Sequence, residues 1–170
     1  MGMPRFTSLA IALFLISAVA SACSDESAQP IRSYATPIRS DDQLTAELRH
    51  LCETSIAGDH QAVLVEFSAA WCSDCRRLGE MKQAKALAAE LSEWPNLTVN
   101  VGRFDHHRPI LDAMQIQSIA HWAILRPANC QDPIDQWARI ADRTLEVSSG
   151  EARKLTPADL ARWLRQFRRS

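Results

Sequence analysis

Residues 62–75 constrain this chain most. Ala62-Val63-Leu64-Val65-Glu66-Phe67 is a short, nearly continuous apolar run, the pattern of a strand covered on both faces and central in its sheet. Cys72-Ser73-Asp74-Cys75 follows, placing two cysteines three apart where a helical pattern begins. At a helix N-terminus the free N–H groups and the dipole favour a thiolate, and a thiol one turn on is close enough to close a disulfide. Cys72 therefore reads as the attacking thiol and Cys75 as the resolving one. A C-x-x-C can also be half of a zinc site, but zinc needs two more ligands at suitable spacing, and the sequence has no second C-x-x-C.

The periodicity on either side alternates between helix and strand. Leu44, Leu48, Leu51, Cys52 and Ile56 recur at helical spacing behind Ser40-Asp41-Asp42, an N-cap with first-turn acids, and Gly58 ends that helix. Leu78, Met81, Ala84, Ala88 and Leu91 extend one helical stripe from Cys72 to about Leu91, stopped at Trp94-Pro95-Asn96. Strands are predicted over 97–101, 122–125 and, weaker and edge-like, 136–141, with a short helix over 109–114 and loop over 142–155. Thr156 as N-cap, Pro157 at the first helical position and Leu160, Trp163, Leu164 and Phe167 on one face define the last helix. This order predicts an α/β domain, a central mixed sheet with helices on both faces.

Ahead of that domain stands an address. Met1 to Arg5 gives a positive start, and the uncharged run Phe6 to Ala18 is too short to span a bilayer, which needs about 20 residues; residues 1–22 read as a signal peptide. Small residues at 20 and 22 suit a signal peptidase. The cysteine at 23 resembles a bacterial lipoprotein box, with Ala20 where Leu is usual, so Cys23 is a candidate lipidation site. Ser24 after it favours the outer membrane; the alternative is simple secretion with Cys23 a free thiol. Residues 23–40, rich in Ser, Ala and Pro, read as a tether that reaches about 55–60 Å when extended, although Ile31, Tyr34 and Ile38 also fit a short first strand. Residues 41–170 form the domain. The chain is 46% hydrophobic and 23% charged with a net charge of −1, which excludes a disordered protein and gives nucleic acid no general electrostatic attraction.

The stretches VLVEFSAAWCSDCRR (63–77), LTVNVGRFD (97–105), QSIAHWAIL (117–125) and LTPADLARWLRQF (155–167) together resemble the thioredoxin superfamily. VGRFD, SSGEARKLTP and the signal sequence resemble its bacterial exported members. The resemblance implies the thioredoxin fold and reversible dithiol–disulfide exchange, with the Cys72–Cys75 pair in place of any cofactor. By the same resemblance, Trp71 is the aromatic beside the cysteines and Glu66 the buried acid beneath them. An acid inside an apolar strand is costly unless it is neutral or shares a proton, which makes Glu66 a candidate acceptor for the Cys75 proton. The bland alternative is that strand alternation turns Glu66 to a solvated edge.

Two departures from the family pattern stand out. Ala120 occupies the place of the cis-proline that faces the active cysteines, so a trans Ile119–Ala120 bond is expected, since a cis bond without Pro costs about 2.5–4 kcal/mol. His121 beside it either reaches the Cys72 sulfur, where it would stabilise a thiolate or, with Cys72 and Cys75, supply a third metal ligand, or points into solvent from a loop. The other departure is Ser73-Asp74, whose acid opposes a neighbouring thiolate while suiting the helix N-terminus and implies a less oxidising pair.

The remaining residues receive plainer readings. Cys52 and Cys130 either pair or remain a buried small hydrophobe and an exposed thiol, the second being preferred. His106-His107 read as solvated loop, Arg162, Arg165, Arg168 and Arg169 as a solvated helix face, and Trp122, Trp137 and Trp163 as core.

The sequence thus predicts a monomeric oxidoreductase on the periplasmic side of the cell envelope, lipid-anchored or soluble. It would reduce disulfides of exported proteins and draw electrons from a membrane thiol donor. The competing readings are a metal-binding or metal-delivery protein using Cys72, Cys75 and His121, and an interaction module that keeps the fold without the chemistry.

Overall fold

Ser40 opens α1 (Asp41–Ala57) with a capping box. Its hydroxyl accepts the Gln43 N–H, the Gln43 side chain accepts the Ser40 N–H, and Asp41 and Asp42 add negative charge at the positive helix end. The computed structural model describes residues 36–58, 60, 62–146 and 155–168. The expected signal peptide, Cys23 and the tether as far as residue 35 lie outside them, as do Ile31, Tyr34 and Arg169. Ile38 is described and belongs to no strand.

After α1 come β1 (Val63–Ser68), α2 (Ser73–Met81), α3 (Lys85–Leu91), β2 (Asn96–Asn100), α4 (Arg108–Ala113), β3 (His121–Arg126), β4 (Ala138–Thr144) and α5 (Pro157–Phe167). The four strands form one mixed sheet in the order β2-β1-β3-β4, with β1 parallel to β2 and antiparallel to β3, and β3 antiparallel to β4. Every residue of β1 is buried, as its unbroken apolar run requires of a central strand.

Strand alternation divides the core into two layers. On one face Val63, Val65 and Phe67 pack with Leu44, Leu48 and Cys52 of α1 and Leu111 of α4. On the other face Leu64, Trp122 and Ile124 pack with Cys72, Cys75, Leu78, Leu87, Leu160 and Leu164, which come from α2, its N-cap, α3 and α5. The cysteine pair thus belongs to the second layer, at the carboxyl end of β1.

Several expectations need correction. The single helix expected over 72–91 is two, because the chain tightens at Lys82-Gln83-Ala84, where Gln83 and Ala84 bond back to the Glu80 and Met81 carbonyls. The turn rotates the following residues, so Leu87 and Glu90 enter the core in place of Ala84 and Ala88. Glu90 is buried because Arg165 and Arg168 reach its carboxylate and the Trp94 indole N–H donates to it. Part of the supposed solvated face of α5 therefore clamps α3. The edge strand starts later than expected, since Ile134–Gln136 form a short 3-10 turn that delays it to Ala138.

The other corrections concern cysteine and histidine. Cys52 and Cys130 are paired as a disulfide, with Cα atoms 5.5 Å apart, because the loop after β3 returns over the face where α1 presents Cys52. His107 is buried, its Nδ1 2.6 Å from Asp41 Oδ1, whereas His106 stays half-exposed. Trp122 and Trp137 are core and Trp163 packs against it.

Candidate functional site

β1 ends at Ser68 and a tight turn follows, in which the Cys72 N–H bonds the Ala69 carbonyl and Arg76 reaches back to the Ala70 carbonyl. Cys72 is the N-cap of α2, and its Sγ accepts the Cys75 N–H at 3.0 Å. One of the free donors of the helix start is thereby aimed at the sulfur expected to attack, the arrangement that favours a thiolate. Cys72 and Cys75 are joined as a disulfide with Cα atoms 5.2 Å apart. Asp74 sits in the first turn of α2, and Ser73 begins it.

Both cysteines are nearly buried, but Trp71 beside them is 48% exposed. Its indole N–H donates to the Gly102 carbonyl at 2.6 Å, and its ring lies 6.2 Å from that of Phe104. From the opposite side Ala120, fully buried, packs in the same layer as the cysteines. The Ile119–Ala120 peptide bond is cis, contrary to the expectation drawn from the missing proline. The tertiary setting selects it: Ala120 is enclosed by this layer, and its carbonyl accepts the Leu145 N–H at 2.7 Å just beyond β4.

Glu66 is 6% exposed and lies on the cysteine side of the sheet, not at a solvated edge. The Trp122 indole N–H donates to its Oε2 at 2.9 Å, and the Lys82 ammonium contacts the same oxygen. A buried carboxylate is tolerable here because a cation and a donor compensate it. Lys82 was not singled out in the sequence. The available signal was its spacing, since Cys75, Leu78 and Lys82 follow one helix face.

His121 is placed differently from both earlier expectations. As the first residue of β3 it alternates with Trp122, so its ring turns to the α1 side of the sheet, 6.3 Å from the Phe67 ring, away from the cysteine layer. Its Nδ1 meets Thr144 Oγ1 at 3.1 Å, while its buried Nε2 lies 3.3 Å from Asp142 Oδ2 without hydrogen-bond geometry. Burial pushes its pKa below the usual histidine range; Asp142 pulls it back up and Arg139 adds to the depression. The set Cys72, Cys75 and His121 is therefore not brought together. Among the described residues no group of three His, Cys, Asp or Glu side chains is placed to hold a metal ion.

A mixed sheet sandwiched by helices, with a C-x-x-C pair capping the helix after the central strand, defines a thioredoxin-fold protein. Residues 46–136 match the thioredoxin family, more than half of the chain, and the protein belongs to that family. Among solved structures it is similar to the reduced C-terminal domain of DsbD from Neisseria meningitidis. That match has 12% identity and a TM-score of 0.55, covering 75% of this chain and 96% of that one. It is also similar to a disulphide isomerase from Xylella fastidiosa Temecula1, with 19% identity and a TM-score of 0.51, covering 78% and 98%. No curated protein matches the chain. Among the described residues no helix is long and apolar enough to cross a membrane.

Proposed function

We propose that the protein is a thiol–disulfide oxidoreductase of the cell envelope that reduces disulfides in exported proteins. The observation that carries this reading is the Cys72 sulfur at the N-terminus of α2, accepting the Cys75 N–H and joined to Cys75. In the reduced protein the Cys72 thiolate attacks one sulfur of a partner disulfide, and the other partner sulfur leaves as a thiolate. Cys75, once deprotonated, attacks the Cys72 sulfur, closes the Cys72–Cys75 disulfide and releases the second partner thiol. Two electrons have then passed to the partner. Glu66, on the cysteine side of the sheet, is the proposed acceptor of the Cys75 proton.

A membrane thiol donor is proposed to return the two electrons. The signal-peptide pattern of residues 1–22 and the lipoprotein-like Cys23 support a periplasmic, lipid-anchored location, with the outer membrane favoured by Ser24. The second disulfide, Cys52–Cys130, is consistent with an oxidising compartment. We take the working form to be a monomer.

The test is equilibration of the purified protein against glutathione and dithiothreitol buffers with free thiols counted. A reversible Cys72–Cys75 couple near about −270 mV supports a reductase, and one near about −120 mV reverses the direction to oxidation. A pair that never exchanges would remove the reading.

A further inference from the structure

Asn100, the last residue of β2, has a buried side chain bonded at both ends. Its Oδ1 accepts the Gly102 N–H at 3.0 Å, and its Nδ2 donates to the Thr36 carbonyl at 2.6 Å. The Gly102 carbonyl accepts the Trp71 indole N–H. An unbroken line of hydrogen bonds therefore joins the backbone ahead of α1 to the aromatic beside Cys72.

The loop that carries this line has little freedom. Gly102 has φ +59°, and a Cβ there would fall 2.3 Å from Asp105 Oδ1 and 2.5 Å from His106 Cδ2, so any larger residue would be strained and would have to displace those side chains. The Arg103 N–H bonds the same Asp105 oxygen at 2.7 Å. At its far end the loop is fastened again by His107 against Asp41, the first residue of α1. Arg39 adds a bond to the Thr98 carbonyl and pairs with Glu47 of α1. Residues 36–41 thus grip the 101–107 loop at both ends, and the loop holds Trp71 through Gly102 and Phe104. Thr36 lies by the end of β2, so the chain enters the domain at the end of the sheet that bears the cysteines.

We propose that Asn100 is a positioning residue of the thiol–disulfide site, and that residues 36–40 are an arm of that site which fixes Trp71 as the wall a protein disulfide docks against. The cysteines are nearly buried while Trp71 is half-exposed, so a partner approaching the sulfurs meets this indole. The proposal rests on the thiol–disulfide reading above. Asn100 touches no reacting atom; it acts through Gly102 and Trp71.

Two substitutions in the full protein separate the links. Asn100→Ala removes both bonds, whereas Asn100→Asp keeps an acceptor for the Gly102 N–H and loses only the donor to Thr36. Each variant is followed by the Trp71 indole N–H resonance, assigned by its loss in Trp71→Phe, and by steady-state reduction of insulin disulfides with dithiothreitol as electron source. Both variants should move the resonance; Asn100→Asp should raise KM about five-fold, the effect of one hydrogen bond of ordinary net worth, and Asn100→Ala, which loses both, at least as much, while kcat and the equilibrium with glutathione stay within about two-fold. An unmoved resonance and KM in Asn100→Asp would show the Thr36 link to be idle and overturn the arm. A fall in kcat together with thermal stability, at constant KM, would make Asn100 merely structural. A parent protein unable to reduce insulin would remove the proposed function, and the resonance, read without substrate, would still decide whether the arm holds Trp71.

Discussion

The two disulfides among the described residues lie on opposite faces of one sheet, in opposite settings. Cys72–Cys75 spans a sequence separation of 3 at a helix N-terminus, where opening it yields a sulfur already met by a backbone N–H. Cys52–Cys130 spans a separation of 78 and fastens α1 to the loop after β3, with Cys52 wholly buried. Closing a loop of that length removes much entropy from the unfolded chain, while closing one turn removes little. Chain separation and surroundings, rather than the bond, thus divide the proposed reactive pair from a staple.

The sharpest way to break this comparison is to remove one sulfur from each face. Cys72→Ser should cut disulfide reductase activity by more than about 10³-fold with little change in thermal midpoint, since it deletes the proposed nucleophile while serine, close to cysteine in size, can still accept the Cys75 N–H at the N-cap. Replacing Cys52 and Cys130 together by Ala should do the reverse, costing about 4–5 kcal/mol in a urea titration while kcat at 25 °C stays near that of the parent. If the double variant lost activity without losing stability, the division of labour would fail.

Smaller effects test the polar groups of each face. Lys82→Met leaves the buried Glu66 carboxylate without its cation, and a loss of about 1–3 kcal/mol is expected in the same titration. This is less than for a fully dry pair, because the ammonium keeps some contact with water. Lys82→Arg should recover much of it. On the other face, burial holds the folded pKa of His121 below its ordinary 6.5, so the unfolded chain binds the proton more readily. Its contribution is fully present above about pH 6.5 and is lost as pH falls from there toward the folded pKa. Urea midpoints measured from pH 8 to 5 should fall less steeply in His121→Gln than in the parent, and parallel curves would contradict this account.

Local pattern determined a large part of this protein. The apolar run of β1, the capping signals at Ser40 and Thr156 and the C-x-x-C after a central strand each express a preference satisfied within a few residues, by a helix end, a pleat or a turn. The alternating order of these elements led to a mixed sheet covered on both faces, and Glu66 stood out because a charge inside an apolar strand demands a partner.

Which partner answered that demand was a tertiary matter. Lys82 and Trp122 come from separate elements, and the break after Met81 redirected the helix stripe so that Glu90, not Ala88, met α5. The family resemblance offered His121 either as a neighbour of the cysteines or as a solvated loop residue, yet strand register turns it to the other face, where Phe67, Thr144 and Asp142 receive it. The pairing of Cys52 with Cys130, the cis bond before Ala120 and the grip of Thr36 and Asp41 on the loop at Gly102 all join residues far apart in the chain or enclosed by such residues. Sequence periodicity reports the face a residue prefers, because that preference is paid locally by burial. The identity of the residue opposite depends on register and on the return path of distant loops, which only the packed whole decides.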